Sequence, residues 1–179
     1  MASADKDSGG PGSGEVRRQI GGLLPELRAF ARFLARDRAQ ADDLLQDAVL
    51  RALAAADQFQ PGTSLKAWTF TILRNTFYEQ ARRRKREAAV ITAGEAEEAA
   101  DARAAEPAQD RRASISDLQR LIWTLPPLLR EALILVGAQE LSHEEAAAVC
   151  GVPVGTMKAR LSRARTALAA AMQNADGDR

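Results

Sequence analysis

The residues best suited to chemistry are cations and short hydroxyl side chains that recur at helical spacing near the end of the chain. Lys158, Ser162 and Arg165 fall on one face of this pattern, and Ala159 and Arg163 flank them. Cationic side chains and short hydrogen-bond donors suit the phosphates and the major-groove base edges of DNA. An ordinary solvated helix with a basic face is the alternative interpretation.

The residues before this helix predict how it is positioned. Ser142 and Glu145 have the spacing of a capping box, which begins a short helix. Gly151 can adopt the left-handed conformation that ends a helix, and Pro153 suits the first turn of the next one. Two helices joined by a tight glycine turn form a helix-turn-helix, and this combination favours DNA binding over a solvated basic face. The apolar face of the second helix should pack on the first; it carries Val154, Met157, Leu161, Ala164 and Leu168.

The sequence contains no pattern typical of a catalytic or metal site. His143 is the single histidine, whereas a zinc site needs about four ligands, so we expect a surface residue. Cys150 is the only cysteine, which rules out an intramolecular disulfide, and its place on an apolar helix face predicts a small buried core residue. Without a nucleophile–base pair or a phosphate-binding loop, we predict no enzymatic activity, no metal or other cofactor and no small-molecule substrate.

Composition favours an all-α fold. Most apolar residues of the 179-residue chain are Ala and Leu, and aromatic residues make up 4%. Ala and Leu favour helices, whereas strands prefer β-branched and aromatic residues. The formal net charge of +1 conceals separate basic and acidic surfaces, so it does not argue against a nucleic-acid partner. No apolar run approaches the roughly 20 residues of a membrane helix, and no secretory signal is evident; we expect a soluble cytoplasmic protein without a membrane partner.

Changes in composition divide the chain into two small helical domains joined by a flexible linker. The first, at 15–88, is predicted to be a bundle of three helices. The linker, at 89–113, is rich in Ala, Glu, Asp and Arg, with few large apolar side chains to pack. The second domain, at 114–172, contains the predicted helix-turn-helix. The polar segments 1–14 and 173–179 are predicted to be tails.

The third helix of the first domain combines aromatic residues with cations. The turn at 60–62 precedes Thr63 and Ser64, either of which can cap this helix. The helix ends in the cationic run 82–86. Cations beside aromatic residues suit the backbone and the unstacked bases of DNA, although arginines at a helix C-terminus also compensate the helix dipole. We expect three aromatic residues to lie mainly in the core: Trp68, Phe70 and Phe77.

The second helix of the first domain carries an acidic segment at 42–47. Three carboxylates and the Gln46 amide lie on its polar side. Such a face can present a docking surface to a partner of complementary charge, or it can be a plain solvated face. The residue types alone leave both interpretations open.

Taken together, these segments resemble the extracytoplasmic-function sigma factors, small members of the sigma-70 family of bacterial RNA polymerase subunits. The segment 42–47, DDLLQD, is similar to their core-polymerase-binding segment. The segment 65–86 resembles the helix that follows the −10 recognition loop, and 154–165 resembles the −35 recognition helix. The segment 58–64 then corresponds to the −10 loop, which in this family captures a flipped base of the non-template strand.

The resemblance implies three sets of contact residues. The surface for core RNA polymerase, at its beta-prime clamp, would comprise Asp42, Asp43, Gln46 and Asp47. The −10 element of promoter DNA would be contacted by Gln60, Thr63, Ser64, Arg74, Asn75, Arg82 and Arg83. The −35 element would be contacted by Thr156, Lys158, Ala159, Ser162, Arg163 and Arg165. The implied fold is a sigma region 2 bundle and a sigma region 4 helix-turn-helix.

Two longer segments, 72–87 and 125–151, are similar to the general-stress-response sigma factors of alphaproteobacteria. In that subgroup a small anti-sigma protein holds the sigma factor inactive until a phosphorylated response regulator with a sigma-like domain removes it. The resemblance therefore implies promoter-specific transcription initiation in a stress response, controlled by an anti-sigma factor. Three departures are the segment 126–129, PPLL, where more polar residues are usual, His143, where Tyr is common, and Ala159, at a position that is often Ser.

Two other functions fit part of the pattern. A stand-alone helix-turn-helix regulator would explain the second domain but not the acidic segment 42–47 or the helix that combines aromatic residues with cations. A sigma-like mimic that titrates an anti-sigma factor would keep the fold and lose the cations that face DNA. Lys158, Arg163 and the run 82–86 argue against such a mimic.

Overall fold

The structure, a computed structural model, describes residues 13–35, 37–92 and 113–177. Within these ranges the backbone forms helices joined by short turns, without a β-strand, which confirms the predicted all-α class. The rest of the predicted tails and linker lies outside the described residues. Among the helices of these ranges, none combines the length and the apolar character that crossing a bilayer requires.

The described part of the first domain has four α-helices rather than the predicted three. They are α1 (Ser13–Gly22), α2 (Leu24–Leu34), α3 (Arg38–Ala54) and α4 (Leu65–Thr92). The apolar pattern predicts one helix here, but the structure has two: Leu23 is the N-cap of α2, and Pro25 lies in the first turn of that helix. Proline lacks an N–H and its ring clashes with the carbonyl four residues earlier, so α1 cannot continue through it.

The second domain contains α5 (Ala113–Thr124), α6 (Pro127–Leu133), α7 (His143–Cys150) and α8 (Val154–Gly177). Pro127 is the first residue of α6, where its missing N–H removes no helical hydrogen bond. A π-helical turn, Ile134–Ala138, continues α6 towards the helix-turn-helix.

Three helix ends differ from the predicted domain boundaries. α1 begins at Ser13, inside the predicted first tail, α4 continues through 89–92, and α8 continues through 173–177. Runs of alanine lie at the start of the α4 extension, at 88–89, and shortly before the α8 extension, at 169–171. Because alanine has the highest helix propensity, such runs extend a helix past its last core contact.

The aromatic residues of the first domain lie in or against its core. Phe30 on α2 and Phe70 on α4 are fully buried and stack, with ring centroids 5.1 Å apart. Trp68 is half-buried and packs edge-to-face on Phe59 at 5.6 Å. Phe77 is half-buried against the Phe30–Phe70 core. The core prediction is confirmed fully for Phe70 and partly for Trp68 and Phe77.

The two domains share one continuous apolar core. α4 of the first domain packs along α7 of the second, and α2 contacts the π-helical turn. Buried side chains from both domains belong to the same cluster, among them Leu27, Leu44, Leu73, Leu135, Val149 and Met157. We call this state, in which the two domains lie directly against each other, the closed arrangement.

Candidate nucleic-acid interface

The helix-turn-helix forms as the sequence predicts. The Ser142 hydroxyl accepts a hydrogen bond from the Glu145 backbone N–H at 3.1 Å, and the Glu145 carboxylate accepts one from the Ser142 N–H at 2.8 Å. Gly151 ends α7 with a φ of 63°, a left-handed conformation that glycine adopts without strain. Pro153 lies one position earlier than predicted, just before α8, where its carbonyl accepts a hydrogen bond from the Met157 N–H at 3.1 Å.

α8 buries one face and exposes the other. Met157, Leu161 and Ala164 are at most 2% exposed and pack into the core, as predicted. The predicted −35 contacts comprise one half-buried residue, Thr156, and five exposed residues, Lys158, Ala159, Ser162, Arg163 and Arg165. The three cations of this face form no ion pair with a described residue. Their charges are therefore available to phosphates.

The predicted −10 loop is a tight turn before α4. The Gln60 carbonyl accepts hydrogen bonds from the Thr63 N–H at 3.3 Å and from its hydroxyl at 2.7 Å. Gly62 has a φ of 85°, which the third position of a type II turn requires. The Ser64 hydroxyl accepts from the Ala67 N–H at 3.2 Å, so the N-cap of α4 is Ser64. Gln60 and Thr63 are exposed, whereas Ser64 is half-buried.

The predicted −10 residues on α4 occupy two different environments. Asn75, Arg82 and Arg83 are exposed, and Arg83 forms an ion pair with Glu87 at 2.7 Å. The side chain of Arg74 is only 15% exposed and contacts the second domain. In the closed arrangement, Arg74 therefore does not lie on the same free surface as the other three.

The predicted polymerase-binding residues lie on one side of α3. Asp43, Gln46 and Asp47 are exposed, and Asp42 is half-buried. Gln80 of α4 donates a hydrogen bond from its Nε2 to Asp47 at 2.8 Å. We call these four residues of α3 the acidic face.

An ion pair lies at the junction between the domains. Arg74 Nε and a terminal nitrogen of its guanidinium contact the two carboxylate oxygens of Glu131 at 2.7 and 3.2 Å. The Tyr78 ring covers the guanidinium at 4.6 Å from its centroid. The Cys150 thiol donates to Glu131 at 3.6 Å. Burial, and next the negative charge of Glu131, raise the pKa of Cys150 to about 12. Burial alone would lower the pKa of Arg74, but hydrogen bonding and attraction to Glu131 outweigh it and raise that pKa.

A second polar contact joins the −10 loop to the helix-turn-helix. Hydrogen bonding with Ser64, followed by the hydrogen bond from the Ser142 backbone, lowers the pKa of Glu145 below its usual range. Lys66, on the first turn of α4, adds an attractive charge near Glu145, and its Nζ is 2.9 Å from Glu26 Oε2. The helix cap that builds the DNA-binding motif therefore lies close to the predicted −10 loop, where α4 packs on α7.

Glu131 is not among the residues that the sequence predicts to be functional. One signal is present, because Arg130 and Glu131 together interrupt the apolar stretch 128–136, and a buried carboxylate needs a partner. That partner, Arg74, is 57 residues away along the chain. No local pattern identifies a pair at that separation.

His143 is half-buried at the first position of α7, whereas Cys150 is 6% exposed and lies in the core, as predicted. In the part of the chain that the structure describes, no three His, Cys, Asp or Glu side chains are grouped closely enough to hold a metal ion.

Comparison with known families assigns both domains. Residues 20–87 match Sigma-70 region 2, and residues 115–168 match Sigma-70, region 4. The two matches together cover more than half of the chain.

Curated relatives match across both domains. The ECF RNA polymerase sigma factor EcfG of Rhodopseudomonas palustris is 44% identical over 160 residues, which are 89% of this chain and 86% of that protein. The ECF RNA polymerase sigma factor SigC of Mycobacterium tuberculosis is 34% identical over 145 residues, which are 79% of this chain and 74% of that protein.

Solved structures give the same answer. The sigma factor RpoE from Bartonella quintana, in complex with the anti-sigma factor NepR, is 42% identical with a TM-score of 0.73, and the match covers 88% of this chain and 96% of that chain. CnrH in complex with the cytosolic domain of CnrY is 25% identical with a TM-score of 0.62, over 90% of this chain and 95% of that chain. The chain thus belongs to the extracytoplasmic-function group of the sigma-70 family, the RNA polymerase sigma factors.

Proposed function

We propose that this sigma factor directs promoter-specific transcription initiation in a stress response through three separate surfaces. The exposed face of α8 reads the −35 duplex. The loop at 58–64 and the exposed cations of α4 hold single-stranded −10 DNA. The acidic face of α3 docks on core RNA polymerase at the beta-prime clamp. RNA synthesis is the chemistry of the polymerase, so this mechanism assigns no catalytic residue to the sigma factor.

The observation that carries the proposal is the division of α8 into two faces. Met157 and Leu161 fix the helix in the second domain, while Lys158, Arg163 and Arg165 point to solvent without a carboxylate partner among the described residues. A recognition helix needs this combination, because a rigidly held helix places base-reading side chains while its cations bind phosphates.

The closed arrangement has to open before both promoter elements are bound. The −35 and −10 elements are separated by about 25 base pairs, or about 85 Å of B-DNA at roughly 3.4 Å per base pair. A domain of about 70 residues has a radius of gyration of about 11 Å, so two such domains in direct contact are too short to span that distance. Opening breaks the Arg74–Glu131 pair and frees Arg74 for −10 DNA.

We further propose that a small anti-sigma protein holds this chain inactive. The Bartonella quintana RpoE resembles this chain across both domains, and it was solved with the anti-sigma factor NepR. Stabilising the closed arrangement would suffice for inhibition, because a ligand that binds one of two states shifts the population towards it.

Run-off transcription with purified core polymerase, this protein and a library of genomic promoter fragments tests the proposed function. We expect discrete start sites downstream of a shared two-part motif. Polymerase binding without any start site would favour the sigma-like mimic. No binding to polymerase at all would favour the stand-alone DNA-binding regulator.

A further inference from the structure

A shallow depression lies between α2 and the N-terminal half of α3. Its volume is about 450 Å³, and its walls are formed by Arg28, Arg32, Arg38, Asp42, Leu45 and Gln46. Arg28 and Arg32 are four residues apart on α2, so their side chains lie on the same helix face. Arg38 is the first residue of α3, and its side chain lines the depression from that helix. Three arginines from two helices therefore converge on one concave surface.

The depression carries uncompensated positive charge. Arg28 Nε lies 3.9 Å from Asp42 Oδ1, and both side chains are about half exposed, so this pair is weak. Neither Arg32 nor Arg38 forms an ion pair with a described residue. Three arginines against one aspartate leave the depression with a positive excess, and a concave surface with such an excess raises the electrostatic potential that attracts an oppositely charged ligand.

The depression is continuous with the acidic face of α3. Asp42 and Gln46 belong to both surfaces. A partner that covers the acidic face therefore also reaches the edge of the depression, where carboxylates on the partner would complement the charge of the arginines.

We propose that this depression is the basic half of the polymerase-docking surface, and that it receives an acidic side chain of the core-polymerase segment that docks on α3. The proposal rests on the proposed polymerase contact of the acidic face. Arginine suits this role, because its planar guanidinium binds a carboxylate through two parallel hydrogen bonds. A surface with both signs of charge in a fixed order sets the orientation of the partner as well as its affinity.

The test measures the affinity of the full chain for purified core RNA polymerase by fluorescence anisotropy, for Arg32→Glu and Arg38→Glu separately. The two positions control for helix-dipole effects. A new carboxylate is unfavourable at Arg32, in the last turn of α2, and favourable at Arg38, in the first turn of α3. Arg32→Gln and Arg38→Gln provide neutral versions, and circular dichroism checks that each variant folds.

The matched control is Arg17→Glu, since Arg17 is exposed on α1 away from the depression. The comparator is Asp43→Lys on the acidic face, because Asp43 is exposed, whereas Asp47 also accepts a hydrogen bond from Gln80. We expect each charge reversal in the depression to weaken the affinity for core polymerase about tenfold, because it removes a close interfacial charge pair. The affinity of the Arg17→Glu control should stay close to that of the unchanged chain.

Three outcomes would overturn the proposal. In the first, the arginine variants bind core polymerase as tightly as the unchanged chain, whereas Asp43→Lys binds it more weakly. The acidic face would then be the docking surface, and the arginines would only be solvated. Unchanged core affinity with weaker binding of the assembled holoenzyme to promoter DNA would make the depression a phosphate site. Unchanged core affinity in all variants, Asp43→Lys included, would remove the proposed polymerase contact of α3 as well.

Discussion

The guanidinium of Arg74 on α4 and the carboxylate of Glu131 on α6 meet in a two-contact ion pair, with nitrogen–oxygen distances of 2.7 and 3.2 Å. Their side chains are 15% and 2% exposed, so water screens the pair little. The pair connects a residue that the family resemblance assigns to −10 DNA with the domain that carries the −35 helix. One guanidinium thus has two competing partners, Glu131 in the closed arrangement and DNA in the proposed open one.

Arg74→Ala is expected to destabilise the closed arrangement, because it leaves Glu131 as a buried carboxylate without a cation. Removing one member of a buried ion pair costs about 3–5 kcal/mol. We expect the free energy of unfolding in urea to fall by about 3 kcal/mol. If the domains separate instead of unfolding, the radius of gyration from small-angle X-ray scattering should rise.

The paired variant Arg74→Met with Glu131→Leu is the control for this prediction. Apolar side chains of similar volume remove both charges together, so most of the stability should return. If Arg74→Ala changed neither the unfolding free energy nor the radius of gyration, the ion pair would not contribute measurably to the closed arrangement, and the shared apolar core would hold the domains together without it.

Cys150 provides a chemical probe of the same junction. It is the only cysteine of the chain, it is buried, and burial together with Glu131 raises its pKa to about 12. At pH 8, about one thiol in ten thousand is then ionised, and the thiolate is the form that reacts with disulfide reagents. We expect labelling by a chromogenic disulfide reagent to be slow in the unchanged chain and clearly faster in Arg74→Ala. Labelling of the unchanged chain as fast as that of free glutathione would contradict the burial of Cys150 at a closed junction.

The helix-turn-helix could be predicted from the sequence because its determinants are local. Ser142, Glu145 and Gly151 lie within ten residues of one another, and each acts on the backbone next to it. The buried face of α8 followed equally from helical spacing. The division of the first predicted helix at Leu23 also has a local signal, because Pro25 ends one helix and suits the start of another. The prediction of a single helix followed the apolar periodicity, which continues across this proline.

The domain junction could not be predicted in the same way. Arg74 and Glu131 become partners only after the second domain packs on α4, which it does through α7, and helical periodicity does not determine how two domains pack. The depression beside the acidic face has the same origin, since Arg32 and Arg38 lie on different helices with a turn between them. The sequence predicts the candidate contact surfaces one by one, whereas their relative placement depends on tertiary packing.

Glu145 predicts a pH dependence of stability. Its folded pKa lies below the ordinary value of 4.5, so its contribution is fully present above that value and is lost as the pH falls through the folded pKa. Glu145→Gln should therefore lower the free energy of unfolding at pH 7, and the difference from the unchanged chain should shrink towards pH 3. Urea denaturation at pH 7, 4 and 3 measures this difference.

The control for this prediction is Glu144→Gln, which removes a carboxylate from the same first turn of α7. Both variants lose the interaction with the helix dipole, but only Glu145 forms the capping box and contacts Ser64. Equal effects of the two variants at every pH would show that the dipole alone accounts for the stabilisation.

The double variant Lys158→Ala with Arg163→Ala tests the division of labour between the domains. Both side chains are exposed on α8, so their removal should leave the fold and the affinity for core polymerase unchanged. Promoter-specific run-off transcription should fall at least about tenfold, since a base contact is worth roughly 1–3 kcal/mol. If either cation binds a phosphate, its removal should also reduce the salt dependence of promoter binding by about one unit of slope on logarithmic axes.

The control for net charge is Arg17→Ala with Arg18→Ala, which removes two exposed cations from α1. If the double variant lost polymerase binding as much as promoter-specific transcription, α8 would serve both partners and the proposed separation of surfaces would be wrong.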